Sequence, residues 1–164
     1  AVLESVLEAN CIFLGRAQLE ALAKQKTRIA MERLREENPV APDALALLSR
    51  LQGRCKLGLA SSGSRGAVEQ FVETNRLRAV FVSVLCGPDV ANAKPDPEIY
   101  RRSFEVLTAP PSRSLVIEDS VAGVRAAKAA GAVVCGIPNT TTGQDLLASG
   151  ADRVIARLED LCSL

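Results

Sequence analysis

Histidine is absent from this chain of 164 residues. That excludes a Ser-His-Asp triad, a Cys-His pair and any histidine-ligated zinc, so acid–base chemistry has to run through carboxylates, lysine or water. No apolar run is long enough to span a bilayer. The first ten residues hold two glutamates and no lysine or arginine, so no secretory leader is visible. No basic tract is present, and 20 basic against 19 acidic residues leave a net charge of +1, which argues against nucleic acid as a partner. The five cysteines, Cys11, Cys55, Cys86, Cys135 and Cys162, never fall in a CxxC spacing. At least three lie in or beside strand-like apolar runs, which reads as buried free thiols in a reducing cytosol and implies a cytoplasmic protein. No internal repeat or low-complexity tract is present. What remains is 48% hydrophobic and of a length that buries a core within one domain.

Residues 1–37 read as helix: Leu19, Leu22, Ala23 and Lys26, then Ile29, Ala30 and Leu34, recur at helical spacing, with Lys and Arg on the other face. Asn38-Pro39-Val40-Ala41-Pro42 ends it and serves as a linker. Beyond it helix and strand alternate. Helices are predicted over 43–51, 65–74, 96–107, 121–130 and 144–148, and strands over 56–60, 80–85, 115–117, 133–137 and 153–155, with a closing turn at 158–162. Alternation of this kind gives an α/β fold, a Rossmann-like parallel sheet with helices on both faces. The N-terminal helical part is an appendage to it.

In an open parallel sheet, ligands bind beyond the carboxyl ends of the strands. Three loops fall there. Leu115-Val116-Ile117 runs straight into Glu118-Asp119-Ser120, with Gly123 behind. Two adjacent carboxylates repel one another and favour a shared hard cation such as Mg²⁺, which takes oxygen ligands; alternatively Asp119 or Ser120 simply caps the next helix. Ser61-Ser62-Gly63-Ser64 sits at a helix N-terminus, where free amides and small hydroxyls suit a phosphate or ordinary capping. Lys94, in Ala93-Lys94-Pro95-Asp96-Pro97, is a cation on a stiff mount or an exposed surface lysine.

Taken in this order, LGLASSGSR, NAKPDPEIY and LVIEDSVAGVRAAKAAG resemble motifs two, three and four of the haloacid dehalogenase superfamily, in the branch with a helical cap that includes β-phosphoglucomutase and sugar-phosphate phosphatases. The resemblance covers Pro42 to the C-terminus well and the helical part loosely. It implies that residues 1–38 are part of an α-helical cap and residues 39–164 an α/β core. It further implies that Ser61, with Ser62 and Gly63, binds the phosphoryl group, that Lys94 neutralises it, and that Glu118 and Asp119 hold Mg²⁺. LAKQKT is similar to the cap segment where the mutase branch places a substrate-contacting lysine, here Lys26.

The superfamily's first motif, an apolar strand followed by DxDGT, is missing, and with it the nucleophilic and acid–base aspartates; no DxD occurs anywhere in the chain. In the family that strand lies between those ending at Ser61 and at Asp119. The chain therefore reads as a fragment whose parent has several dozen more N-terminal residues. A gap one strand wide, about 10 Å, is expected between the two neighbours, and Ser61, Lys94 and the two acids should converge on one cleft. The expected activity of the intact parent is Mg²⁺-dependent phosphoryl transfer through an aspartyl phosphate, as a phosphatase of a small phosphorylated metabolite, by a monomer or weak homodimer. The alternatives are a phosphosugar mutase, and a phosphate-binding or interaction module without catalysis if no DxDGT precedes the chain. A response-regulator receiver fits worse, because its paired acids lie near the start of the chain.

Overall fold

The computed structural model describes residues 15–37 and 40–163. Asn38 and Pro39 of the linker, and Cys11, lie outside the described residues. Helix α1 (Arg16–Glu37) carries i,i+4 pairs Arg16–Glu20 and Arg28–Glu32 on its solvent side. It packs on α3 (Arg65–Thr74) where Gly66 leaves room for Met31, and Gln70 Nε2 donates to Met31 O at 3.1 Å. Helix α2 (Pro42–Leu51) buries Leu47, and Asp43 Oδ2 accepts from Leu158 N at 2.9 Å, tying α2 to the C-terminal turn Leu158–Ser163.

Strand β1 (Gly58–Ala60) runs parallel to β2 (Ser83–Leu85), with Leu59 opposite Val84. β2 is shorter than predicted because the amides of Val80 and Phe81 turn back to Leu77 O. β1 starts at Gly58, later than predicted, although Val82 N still donates to Leu57 O at 2.8 Å just before it; the Lys56 ammonium binds Leu107 O at 2.7 Å. Helix α4 (Glu98–Leu107) buries Ile99, Tyr100, Ser103, Phe104 and Leu107, a stripe of helical period, and ends on Thr108 in the left-handed region, φ 51°. It starts two residues after the predicted Asp96, whose carboxylate accepts from Glu98 N at 2.9 Å.

Strands β3 (Leu115–Glu118), β4 (Val133–Gly136) and β5 (Arg153–Val154) form a second parallel sheet, with α5 (Val121–Ala129) and α6 (Gly143–Ala148) in the crossovers. Val116 faces Val134, and Glu118 faces Gly136. Among the described residues β1 and β3 do not pair, so the expected sheet is split in two at that place. The halves share a core: Ile99, Tyr100 and Phe104 of α4 pack with Val116, Val124, Val134 and Leu146, and Ala60 and Leu85 of the first sheet lie against them. One face of β3–β4 stays open, with Leu115, Ile117 and Val133 exposed.

Cys86 and Cys135 are buried free thiols as expected; Cys55 is free but exposed, because it sits in the turn after α2 rather than in β1. Among the described residues no helix is long and apolar enough to cross a membrane.

Asp152 stitches β4 to the start of β5. Its Oδ2 accepts from Val134 N at 2.7 Å, and Lys128 Nζ lies 2.8 Å from Oδ1. The Lys128 hydrogen bond, helped by the Val134 amide, holds its carboxyl below the usual range. A carboxyl with a depressed folded-state pKa contributes stability that is fully present above its unfolded pKa of about 3.9 and is lost as the pH falls through the folded value. Urea melts across the acid range should therefore show Asp152→Asn with a shallower acid loss than the wild type; parallel acid limbs would remove this role.

Candidate active site

The carboxyl ends of β1 and β3 are brought together by one side chain. Lys94 is only 9% exposed, which rules out a solvated surface lysine. Its Nζ donates to Ala60 O at the end of β1 (3.2 Å), to the Tyr100 hydroxyl (2.9 Å) and to Glu118 Oε1 at the end of β3 (2.5 Å). An ammonium has three protons, so all are committed. The loop carrying Lys94 is itself anchored: the Glu98 carboxylate accepts from Ala91 N at 3.0 Å and from Asn92 N at 2.9 Å. Those amides hold the Glu98 carboxyl below its ordinary range.

Glu118 is 8% exposed. Besides Lys94, its Oε1 accepts from the Tyr100 hydroxyl, and its Oε2 accepts from Ser120 Oγ at 3.0 Å. Burial, reinforced by the Glu118 charge, pushes the Tyr100 phenol far above its usual range, so it is a neutral donor and not an acid–base group. Ser120 is the cap of α5, its Oγ accepting from Gly123 N at 3.1 Å. Capping therefore falls to Ser120 and leaves Asp119 free for other work. Asp119 is exposed, with Asn139 Nδ2 at 3.4 Å. The two adjacent acids thus face different surroundings, one sealed against a lysine and one open.

The serine loop is built for close approach. Ser61 Oγ accepts from Gly63 N at 3.0 Å, and Ser64 caps α3 by accepting from Ala67 N. Gly87 N donates to Gly63 O at 3.0 Å, and a Cβ on Gly87 would stand 3.1 Å from Ser62 O, so a side chain there would press on the loop backbone. The turn containing Gly87 is held by Asp89, which accepts from Cys86 N at 2.8 Å and from the Arg65 guanidinium. Burial pushes the Cys86 thiol up to about 11, too high for a nucleophilic thiolate at neutral pH.

A cavity of about 500 Å³ opens over this edge, lined by Ser62, Gly63, Ser64 and Lys94 from below and by Lys26 and Thr27 of α1 from above. Four of the residues singled out from sequence (Ser62, Gly63, Lys94, Lys26) share it. Ser61 adjoins the Ala60 carbonyl that Lys94 contacts, and Glu118 meets the cavity through Lys94; neither acid is among its lining residues. No group of three or more metal-ligating side chains exists among the described residues. Asp119, open and without a cationic partner among the described ion pairs, has the oxygen chemistry that suits a hard cation that keeps water and takes phosphate oxygens.

Sequence reasoning gave no role to Tyr100 or Asn139. Tyr100 was within reach, since it lies six residues after Lys94 on the first turns of the helix that follows; Asn139 lies in the loop after β4 and carries no local signal.

Residues 8–137 match the family model described as haloacid dehalogenase-like hydrolase. The phosphorylated carbohydrates phosphatase of Thermotoga maritima is 36% identical over 130 residues, covering 78% of this chain and 59% of that protein. The β-phosphoglucomutase of Bacillus subtilis is 32% identical over 170 residues, covering 96% and 71%. The crystal structure of a hydrolase from Pseudomonas syringae superposes with a TM-score of 0.86 at 25% identity, covering 98% of this chain and 74% of that one. The chain spans between 28% and 59% of the length of the first curated relatives it matches. The three motif loops, gathered by Lys94 at one sheet edge, and a family match over most of the chain agree: this chain belongs to the haloacid dehalogenase-like hydrolase family.

Proposed function

We propose that this chain forms the greater part of a cytosolic Mg²⁺-dependent phosphatase acting on a small phosphate ester such as a sugar phosphate, and that a further strand completes it. The observation that carries this is the Lys94 ammonium, buried and shared between the ends of β1 and β3. A strand of the missing motif has its natural place between those two, and its acids would emerge beside Lys94. Residues 15–37 then act as part of the cap and the remainder as the core.

In this reading Ser61 and Ser62 receive the phosphoryl oxygens through hydroxyl and amide donors, and the Gly63 amide, which bonds Ser61 Oγ at 3.0 Å, either holds that hydroxyl in place or turns to the phosphoryl group when it binds. Lys94 releases its longest bond, to Ala60 O, and turns that proton to the transferring group, offsetting charge that grows on its oxygens. Lys26 faces the rest of the substrate from α1. Asp119, with Glu118 beside it, would hold Mg²⁺, which supplies charge neutralisation when bound. The nucleophile, the first aspartate of the added strand, attacks phosphorus in line as the P–O ester bond breaks; the second aspartate gives its proton to the leaving oxygen and then takes one from the water that hydrolyses the aspartyl phosphate.

The likeness to the Bacillus subtilis mutase over 96% of the chain supports a second reading, return of the phosphoryl group to another sugar hydroxyl.

The 164-residue chain alone should not turn over a generic aryl phosphate, and an N-terminal extension carrying an apolar strand and DxD should restore Mg²⁺-dependent turnover. Asp119→Ala in the extended protein should raise the Mg²⁺ concentration required. Turnover by the unextended chain, or an unchanged Mg²⁺ requirement, would overturn the nucleophile or the metal assignment respectively.

A further inference from the structure

Lys94 has two short bonds and one long one. The short pair, to Glu118 Oε1 and the Tyr100 hydroxyl, lies against buried groups; the long one goes to the main-chain carbonyl of Ala60. Tyr100 also closes the triangle by donating to the same Glu118 oxygen, and its ring lies under the ammonium, 4.8 Å from Nζ to the centroid. An ammonium held only by a carboxylate can slide around it, because the attraction of two charges has little directional preference. A phenol that accepts from the lysine and donates to the carboxylate fixes the angle as well as the distance.

We propose that Tyr100 is a positioning residue: it pins two of the three Lys94 protons so that the third alone is free to exchange Ala60 O for a ligand oxygen. The proposal rests on the reading of Lys94 as the phosphoryl-binding cation. Tyr100 itself touches no substrate and moves no proton. It acts through Lys94, from the far side of the ammonium.

Composition makes this testable, since Tyr100 is the only tyrosine and the chain has no tryptophan. Replacing it with 3-fluorotyrosine gives one fluorine signal from one phenol. Lys94→Met and Glu118→Gln should each move that signal. In ¹⁵N-lysine-labelled protein, the Lys94 ammonium should give a correlation protected from solvent exchange, lost in Tyr100→Phe while the amide spectrum keeps its dispersion. A fluorine signal indifferent to Lys94→Met, or a Lys94 correlation indifferent to Tyr100→Phe, overturns the tie. The fluorine measurement needs no tyrosine variant, so a Tyr100→Phe chain that fails to fold leaves the test intact.

In the N-terminally extended protein, Tyr100→Phe should lower kcat on the order of tenfold with KM within about twofold, as for loss of an orienting bond to a charged group. A merely structural role would lower Tm and leave kcat unchanged at a temperature where the variant is folded, and that result overturns the positioning role. If Lys94→Ala leaves turnover unchanged, the phosphoryl reading of Lys94 fails instead, and the spectroscopic tie stands apart from it.

Discussion

Gly123→Ala is expected to remove about 3–5 kcal/mol of stability, the cost of breaking a buried ion pair, out of the ~5–15 kcal/mol that holds a typical domain together. A Cβ at this position would overlap the carboxyl carbon and both oxygens of Glu118. The helix cannot back away, because Val124, Ala126 and Ala127 of the same turn are fully buried in the core. Glu118 must therefore swing out of its place, abandoning Lys94 and Tyr100 and leaving a buried cation with no counter-charge. Urea melts measure the loss directly. The diagnostic is the double variant: Gly123→Ala combined with Glu118→Ala has no carboxylate to collide with, so the two changes should be strongly non-additive, with a coupling above about 1 kcal/mol. A Gly123→Ala chain as stable as the wild type would falsify this packing account.

Lys94→Met should have the second largest effect. It keeps the shape of the aliphatic stem and removes the charge, so Glu118 is left 8% exposed with only neutral partners, Tyr100 and Ser120. Removing one partner of a buried pair costs about 3–5 kcal/mol. Both groups are exposed by less than a tenth, so solvent screening takes little from that figure. Lys94→Met with Glu118→Gln should recover a large part of the loss, because the uncompensated charge is then gone. In the extended protein Lys94→Met should also reduce turnover on the order of a hundredfold or more, at every Mg²⁺ concentration, whereas the Asp119→Ala defect should shrink as Mg²⁺ is raised. Full recovery of Lys94→Met by added Mg²⁺ would place Lys94 in the metal shell's service and not at the phosphoryl group.

Much of this arrangement was legible in the residues. The run Leu115–Ile117 into two acids, Gly131 closing the following helix and the Pro-Asp-Pro start of α4 are local signals, and the elements appear there, α4 two residues later than its signal. The split between β1 and β3 was also expected, since the missing strand belongs there. The different surroundings of Glu118 and Asp119 were not legible. In sequence they are an undivided acidic pair; alternation along β3 turns Glu118 inward, toward a lysine that is 24 residues away, while Asp119 lies just past the strand and is exposed. Long-range partners of this kind leave no local trace. The same holds for Ala60, whose contribution is a backbone carbonyl that any residue would offer.

The open flank of β3 affects how the chain behaves among copies of itself. β3 is hydrogen-bonded on one side only among the described residues, and Leu115 and Ile117 of β3 and Val133 of β4 are exposed. A bare parallel edge beside an apolar face is a template that accepts any extended segment of suitable length. Until that edge is filled, it is open to strands supplied by neighbouring molecules, and a net charge of +1 offers little repulsion to keep those molecules apart. Whatever segment occupies the edge therefore serves as a guard against aggregation as well as a source of chemistry.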